Sequence, residues 1–214
     1  MFAYCGNCPV NNADPKGESF RSLFNLFANL KRLVALYAKY GKPNSSLGAA
    51  RNYVFVKGSD DENTPNCYAF AEGLGTNDQP GQVSGQKPLN PYKVHSVEKV
   101  YQYVEQDQIE RGRSIRPLSG ADAPVFPNEY RVALRVGTKL YYDPYESHIS
   151  GHIVYRWDYH FMVQVSDGSW AEKHGYSGNS YCNPIGLNPE NISWDLWPYV
   201  GYYDSPIVYY AIGG

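Results

Sequence analysis

The fold turns on residues 157–174, WDYHFMVQVSDGSWAEKH. Apolar residues alternate through this stretch. Phe161, Val163 and Val165 belong to one face of a strand, and His160, Met162 and Gln164 to the other. The three apolar residues are expected in the core, which sends His160 to the opposite side. The strand is expected over 153–165. Ser166-Asp167-Gly168 supplies turn chemistry, and 169–173 returns as a second strand, so the pair is antiparallel. Two registers are open. A two-residue loop sets Val165 against Trp170 and Val163 against Glu172, and His160 then shares its face with Ala171 and Lys173. A three-residue loop sets Gln164 against Trp170, Met162 against Glu172 and His160 against His174. A left-handed glycine at the third loop position suits the second register.

Around this hairpin the chain changes character once. Residues 130–136 read as another strand, and the aromatic and β-branched residues of 194–212 as one or two closing strands. Upstream the periodicity is helical. Residues 18–40 place Phe20, Leu23, Phe24, Phe27, Leu30, Val34 and Tyr37 at spacings of three and four. So wide a stripe predicts a core helix packed on more than one side. A membrane-surface helix would carry denser Lys and Arg on its polar face. Gly41 and Pro43 end the helix. Residues 94–109 form a second helix, with Val97, Val100, Tyr101 and Val104 on one face and Ser96 as N-cap. Residues 52–56 read as a short strand, and 74–93 as a long surface loop. Helices first and antiparallel strands second predict an α+β fold. The organisation expected is an irregular arm over 1–16 and a single domain over 17–214.

A chain of 214 residues, 43% hydrophobic and 19% charged, has the composition of a globular protein with a real core. A net charge of −2 with scattered Lys and Arg gives no footprint for nucleic acid. No apolar run reaches the roughly 20 residues of a membrane span. The first residues lack the basic and apolar regions of a signal peptide, so a cytoplasmic protein or one delivered by a non-classical route is expected. The 21 tyrosines suit strands and wet grooves. Of four cysteines, Cys5 and Cys8 have CxxC spacing, but they lie in a polar tail with no second pair to complete a zinc site. They are expected as a terminal disulfide or as two free thiols.

The third cysteine sits in NTPNCYAFAEG, residues 63–73, where turn residues give way to helix formers. A helix N-terminus favours an anion, so Cys67 is the candidate nucleophile. Asn66 is the candidate N-cap, and the backbone of Asn66 and Cys67 the candidate oxyanion site. A thiol nucleophile needs a base, and the base needs an orienting group. His160 is the candidate base. Glu172 or His174 is the candidate orienting residue, since the longer hairpin loop puts both on the face of His160. Asp143, Glu146, His148 and His152 lie close together in sequence, but Ser150 and Gly151 argue against a regular helix presenting both imidazoles on one side. They read as a flexible loop near the groove. No metal or cofactor is expected.

The order of Cys at a helix start, His on a strand and a polar residue on the next strand resembles the papain-like cysteine hydrolases. The NlpC/P60 branch is nearest, and the transglutaminase-like branch shares the order. NCYAFA at 66–71 and DYHFMVQVSDGSWAEKHG at 158–175 are similar to segments of a group of poorly characterised bacterial proteins. Those carry NCYAYA-like and DYHFYRQDSDGTWSHKPG-like segments and a late GYY-like one, here Gly201-Tyr202-Tyr203. The resemblance covers roughly the last two-thirds of the chain and leaves the first helix without a counterpart. It implies a papain-like fold in which Cys67 attacks an amide or acyl carbonyl and His160 is the general base. It also implies a peptide, protein or peptidoglycan substrate. Asn66 stands where the NlpC/P60 pattern has Asp, and Glu172 where the bacterial segment has His. Acyl transfer or deamidation by a toxin or effector would use the same residues. A non-enzymatic Tyr-rich module binding glycan or peptide is the alternative of a different class.

Overall fold

Alternation and turn chemistry in the second half of the chain become one antiparallel sheet, with helices laid against it. The computed structural model describes residues 18–59, 61, 63–175, 178–195 and 201–214, with side chains from residue 26 onward, Tyr145 apart. The arm, with Cys5 and Cys8, lies outside the described residues, as does 196–200. Three helices come first: α1 (Glu18–Tyr40), α2 (Cys67–Glu72) and α3 (Val97–Glu110). Then follow β1 (Ser114–Leu118), β2 (Glu129–Val136), β3 (Tyr141–Tyr142), a short helix α4 (Pro144–Ser150), β4 (Tyr155–Arg156), β5 (Tyr159–Gln164), β6 (Trp170–Lys173), β7 (Ser180–Cys182) and β8 (Val208–Gly213). The architecture is mixed helix and antiparallel sheet. Six strands take the order β1-β8-β2-β5-β6-β7, and β3 and β4 form a separate pair. Pro117 sits on β1, an edge strand, where its missing N–H costs the ladder nothing.

The β5–β6 turn takes the three-residue form. Gly168 is left-handed at φ 87°, and Met162 pairs with Glu172 and Gln164 with Trp170. Asp167 Oδ1 accepts from the Ser169 N–H at 2.9 Å and fastens the turn. The long strand expected over 153–165 is two pieces, β4 and β5. The chain breaks at Trp157-Asp158, where the Asp158 carboxylate accepts from the Tyr159 N–H. Residues 52–56 run extended but are no strand, because their ties to the body are isolated: Val56 and Ser180 exchange hydrogen bonds, and the Ser166 N–H reaches Arg51 O.

Both faces of the sheet are buried. One carries Phe161, Val163, Val165 and Ala171 under Tyr68 of α2 and Val97, Val100 and Val104 of α3. The other carries Met162, Trp170 and Tyr209 under Ile192, Trp194, Tyr202 and Tyr203. So the His160 face is buried as well, closed by the segment before β8. The first helix departs from expectation. It meets the body through Ala28, Asn29, Arg32 and Leu36, with the Asn29 amide donating to Ile115 O at 2.8 Å and accepting from its N–H. Its apolar stripe faces mostly outward instead: Leu26, Phe27, Leu30, Val34 and Tyr37 are all at least half exposed, with Tyr37 also meeting the ring of Phe126 edge-on. Among the described residues it packs along one side, with Tyr37 at the margin of that contact.

Candidate active site

Asn66 starts α2 as a true N-cap. Its Oδ1 accepts from the Ala69 N–H at 2.9 Å, which satisfies a donor the helix cannot. Its Nδ2 donates to Asp78 O, so the amide also ties down the 74–93 loop. One of the two Nδ2 hydrogens is thereby committed to the loop. Gly73, left-handed, closes the helix after six residues, and all six are buried.

Cys67 and His160 open onto the same cavity, about 500 Å³. Trp157, Tyr159, Tyr202 and Tyr203 give it aromatic walls. The 74–93 loop supplies Asn77, Gln79 and prolines, so it forms one side of the cavity. Gln79 accepts from the Tyr159 hydroxyl, and Asp107 holds the loop by accepting from the Gly81 and Ser84 N–H groups.

The two side chains reach the cavity from opposite faces of β5. The thiol belongs to the cluster of Tyr159 and Phe161. The imidazole lies against the rings of Tyr203 and Trp194 on the other side. No hydrogen bond joins Cys67 to His160 among the described residues. The thiol donates instead to Tyr159 O at 3.7 Å. Burial, reinforced by the nearby Asp158 carboxylate, pushes the Cys67 thiol far above its usual range. Backbone N–H groups of Tyr68, Phe161 and Cys67 pull the other way and lose. The expectation that the helix start yields a thiolate is therefore corrected. A helix of fewer than two turns has little dipole to offer, and desolvation outweighs it.

The imidazole is tightly organised. His160 Nε2 lies 2.6 Å from Glu172 Oε2. The other carboxylate oxygen accepts from Asn183 Nδ2 at 2.8 Å. His174 Nε2 approaches Oε2 at 3.3 Å, and its ring stacks on His160 with centroids 4.0 Å apart. Burial opposes charge on Glu172, but hydrogen bonds from His160 and His174 hold its carboxyl down at about 2. Burial, then the neighbouring His174, pushes His160 down to about 4. At neutral pH the pair is thus a carboxylate and a neutral imidazole. The carboxylate requires the proton on Nε2, which leaves the lone pair on Nδ1. Both candidate orienting residues come to His160, Glu172 by hydrogen bond and His174 by stacking. These three also bring one ligand atom each within 4.8 Å of one another and could hold a divalent ion.

Residues 144–150 are helical after all, because Asp143 caps the segment at the Glu146 N–H and Gly151 ends it. Glu146 and Asp143 pair with Arg156 on the cavity rim, while His148 and His152 point to solvent. Four further contributors were given no role by the sequence. Asn183 holds the far oxygen of Glu172. Tyr203 donates to Asp158 Oδ2 at 2.8 Å. The Asp158 N–H donates to the Tyr202 hydroxyl, whose ring lies where a Cβ on Gly137 would stand, so that glycine is required. Lys173 is buried on the thiol side and donates to Gly175 O at 2.7 Å; burial pushes its ammonium down to about 8. Tyr202 and Tyr203 stood in the GYY-like segment, and Asp158, two residues from His160, was within reach of a sequence argument; Asn183 was not.

Comparison with protein-family models, with curated proteins and with solved structures returned no significant match.

Proposed function

We propose that the protein is a papain-like cysteine hydrolase that cleaves an amide or peptide bond of a peptide, protein or peptidoglycan through a thioester. The observation that carries this reading is the buried His160–Glu172 hydrogen bond, set in the same cavity as a helix-start cysteine. The order of residues along the chain supports it, as does their resemblance to the NlpC/P60 enzymes.

The chemistry follows from the resting charges. Both thiol and imidazole are neutral, so the reaction begins by general base catalysis rather than from a stored ion pair. The thiol turns away from Tyr159 O. His160 Nδ1 takes its proton as sulfur attacks the carbonyl carbon. The imidazolium so formed is stabilised by Glu172. Backbone N–H groups around the sulfur, that of Cys67 among them, serve the tetrahedral oxyanion. The C–N bond breaks as His160 returns the proton to the leaving amine. Water then attacks the thioester while His160 accepts its proton, releasing the acid and restoring the thiol. Transfer of the acyl group to an amine would follow the same steps, with the amine in place of water.

The test is acyl trapping. Incubation with an activated ester of a short acyl-peptide should add one acyl group to Cys67, seen by intact mass and peptide mapping. Hydroxylamine should remove it, and His160→Ala should slow its formation at least 100-fold. Equal acylation of wild type and His160→Ala would remove the hydrolase reading. A second reading has an observation of its own. The thiol is buried, bound to a carbonyl and far from ionising, as in a structural cysteine of a binding module. That reading expects no acylation and a Cys67→Ser protein that still binds its peptide or glycan.

A further inference from the structure

The first helix presents an apolar face that the described residues leave largely uncovered; of its side chains Tyr37, at one end, meets the ring of Phe126 edge-on at 4.8 Å. Leu26, Phe27, Leu30, Val34 and Tyr37 are 60%, 54%, 53%, 60% and 51% exposed. The face toward the body is a different one, built on Asn29, Arg32 and Leu36. A helix with one satisfied side and an apolar stripe on the other is half of an interface.

We propose that α1 is a self-association surface that pairs antiparallel with α1 of a second copy of this chain. The spacing says what kind of partner fits. Phe27, Leu30, Val34 and Tyr37 are separated by three, four and three, the seam of a helix that packs on another helix. In the sequence the same rhythm runs back through positions 23 and 20. The series 20, 23, 27, 30, 34, 37 reads the same in both directions. An antiparallel copy related by a two-fold axis between residues 28 and 29 therefore sets 20 against 37, 23 against 34 and 27 against 30. Every seam position meets a seam position, which is the self-complementarity an isologous contact requires.

Charge and size agree with this occupant. The same register puts the acidic position 18 opposite the basic position 39, and it opposes the two helix dipoles. A parallel pair would bring Lys31 and Lys39 beside their own copies. The five side chains, half exposed and offering on the order of 100 Å² each, would cover about 1,000 Å² in the symmetric pair, the lower bound for a specific interface.

The experiment uses the full chain. Sedimentation velocity or light scattering across a concentration range should give a dimer. Leu30→Glu, which sets two carboxylates within one turn of the two-fold axis, should give a monomer with unchanged far-ultraviolet circular dichroism. Orientation is read with a short bis-maleimide and single cysteine additions, compared with the wild-type thiol background. In the antiparallel pair the two copies of position 30 lie about 5 Å apart along the axis, whereas those of position 37 lie about 25 Å apart. Leu30→Cys should therefore cross-link and Tyr37→Cys should not. A monomer at every concentration overturns the proposal. So does a dimer indifferent to Leu30→Glu, efficient cross-linking at position 37, or a monomer that binds anionic vesicles through the stripe.

Discussion

Replacing Glu172 by Gln changes one carboxylate oxygen to an NH₂ and leaves the shape alone. The carboxylate accepts from His160 Nε2 at 2.6 Å and from His174 Nε2 at 3.3 Å on one oxygen, and from Asn183 Nδ2 at 2.8 Å on the other. A glutamine has one oxygen to give. Turned toward His160, it sets its NH₂ against the NH₂ of Asn183. Turned toward Asn183, it sets its NH₂ against Nε2, which can stay bonded only by giving up its proton. The proton then moves to Nδ1, the nitrogen that has to accept from the thiol. Either way one charge-assisted hydrogen bond is lost, about 1.5–3 kcal/mol, and a buried donor is left unmet, about 1–3 kcal/mol. The expected loss of stability at pH 7 is about 3–5 kcal/mol. Acid behaviour should change with it. In wild type the His160 pKa lies below its ordinary 6.5 and the Glu172 pKa below its ordinary 4.5. Each contributes stability that is complete above its ordinary value and lost as pH falls through its folded value, near 4 and near 2. Glu172→Gln removes the lower step. Urea unfolding at pH 7 and pH 4 measures the energies, and long-range ¹H–¹⁵N spectra of the imidazoles report the tautomer. A loss under about 0.5 kcal/mol with the Nε2–H tautomer intact would refute this reasoning.

Other outcomes can be measured without a substrate. In the resting protein at pH 8, iodoacetamide should modify Cys67 more slowly than Cys182, and urea should erase the difference, because burial is what suppresses the thiol. The reverse order would contradict the charge assignment. Glu72 is buried at the end of α2 and pushed up to about 8 by burial. Folded, it holds a proton between pH 4.5 and 8 that the unfolded chain releases, so it lowers stability as pH rises through that window, by up to about 1.4 kcal/mol per unit. Glu72→Gln should therefore gain on wild type in thermal melts at pH 9 relative to pH 5; parallel curves would exclude this. Asn66→Ala removes the cap and the tie to the 74–93 loop. It should cost about 1 kcal/mol in urea unfolding and raise proteolytic cleavage within 74–93, whereas unchanged cleavage would mean the loop holds without Asn66.

Local chemistry was legible in the sequence, and long-range burial was not. Gly168 pointed to the hairpin register because one residue's tolerance of positive φ sets the pairing of both strands. Ser96 and Asn66 announced their caps for the same reason: the partner N–H is three residues away. The outward face of α1 was misread, because an apolar stripe looks alike whether its cover is the same chain or another surface. Residues 52–56 have strand composition but lack a ladder, and only the distant Ser180 and Ser166 reveal that. The thiol was misjudged because the helix dipole is a local property, while the burial that outweighs it is assembled from β5 and β6. Asn183 reaches Glu172 from 11 residues downstream across a strand turn, where composition gives no warning.

The position of β8 bears on how the chain is made. It lies between β1 and β2, pairing Gly213 with Ser114 on one side and with Glu129 on the other. Tyr210 and Ile212 reach the main core from it. A ribosome delivers β1 roughly a hundred residues before the strand that must separate it from β2. Until then β2 shows an open edge and the core lacks two of its large side chains. The sheet is therefore completed after residues 208–213 have left the exit tunnel, by inserting the latest strand between two early ones, a topology that folds slowly. Until that insertion the nascent chain has the open strand edges and uncovered apolar surface that chaperones bind.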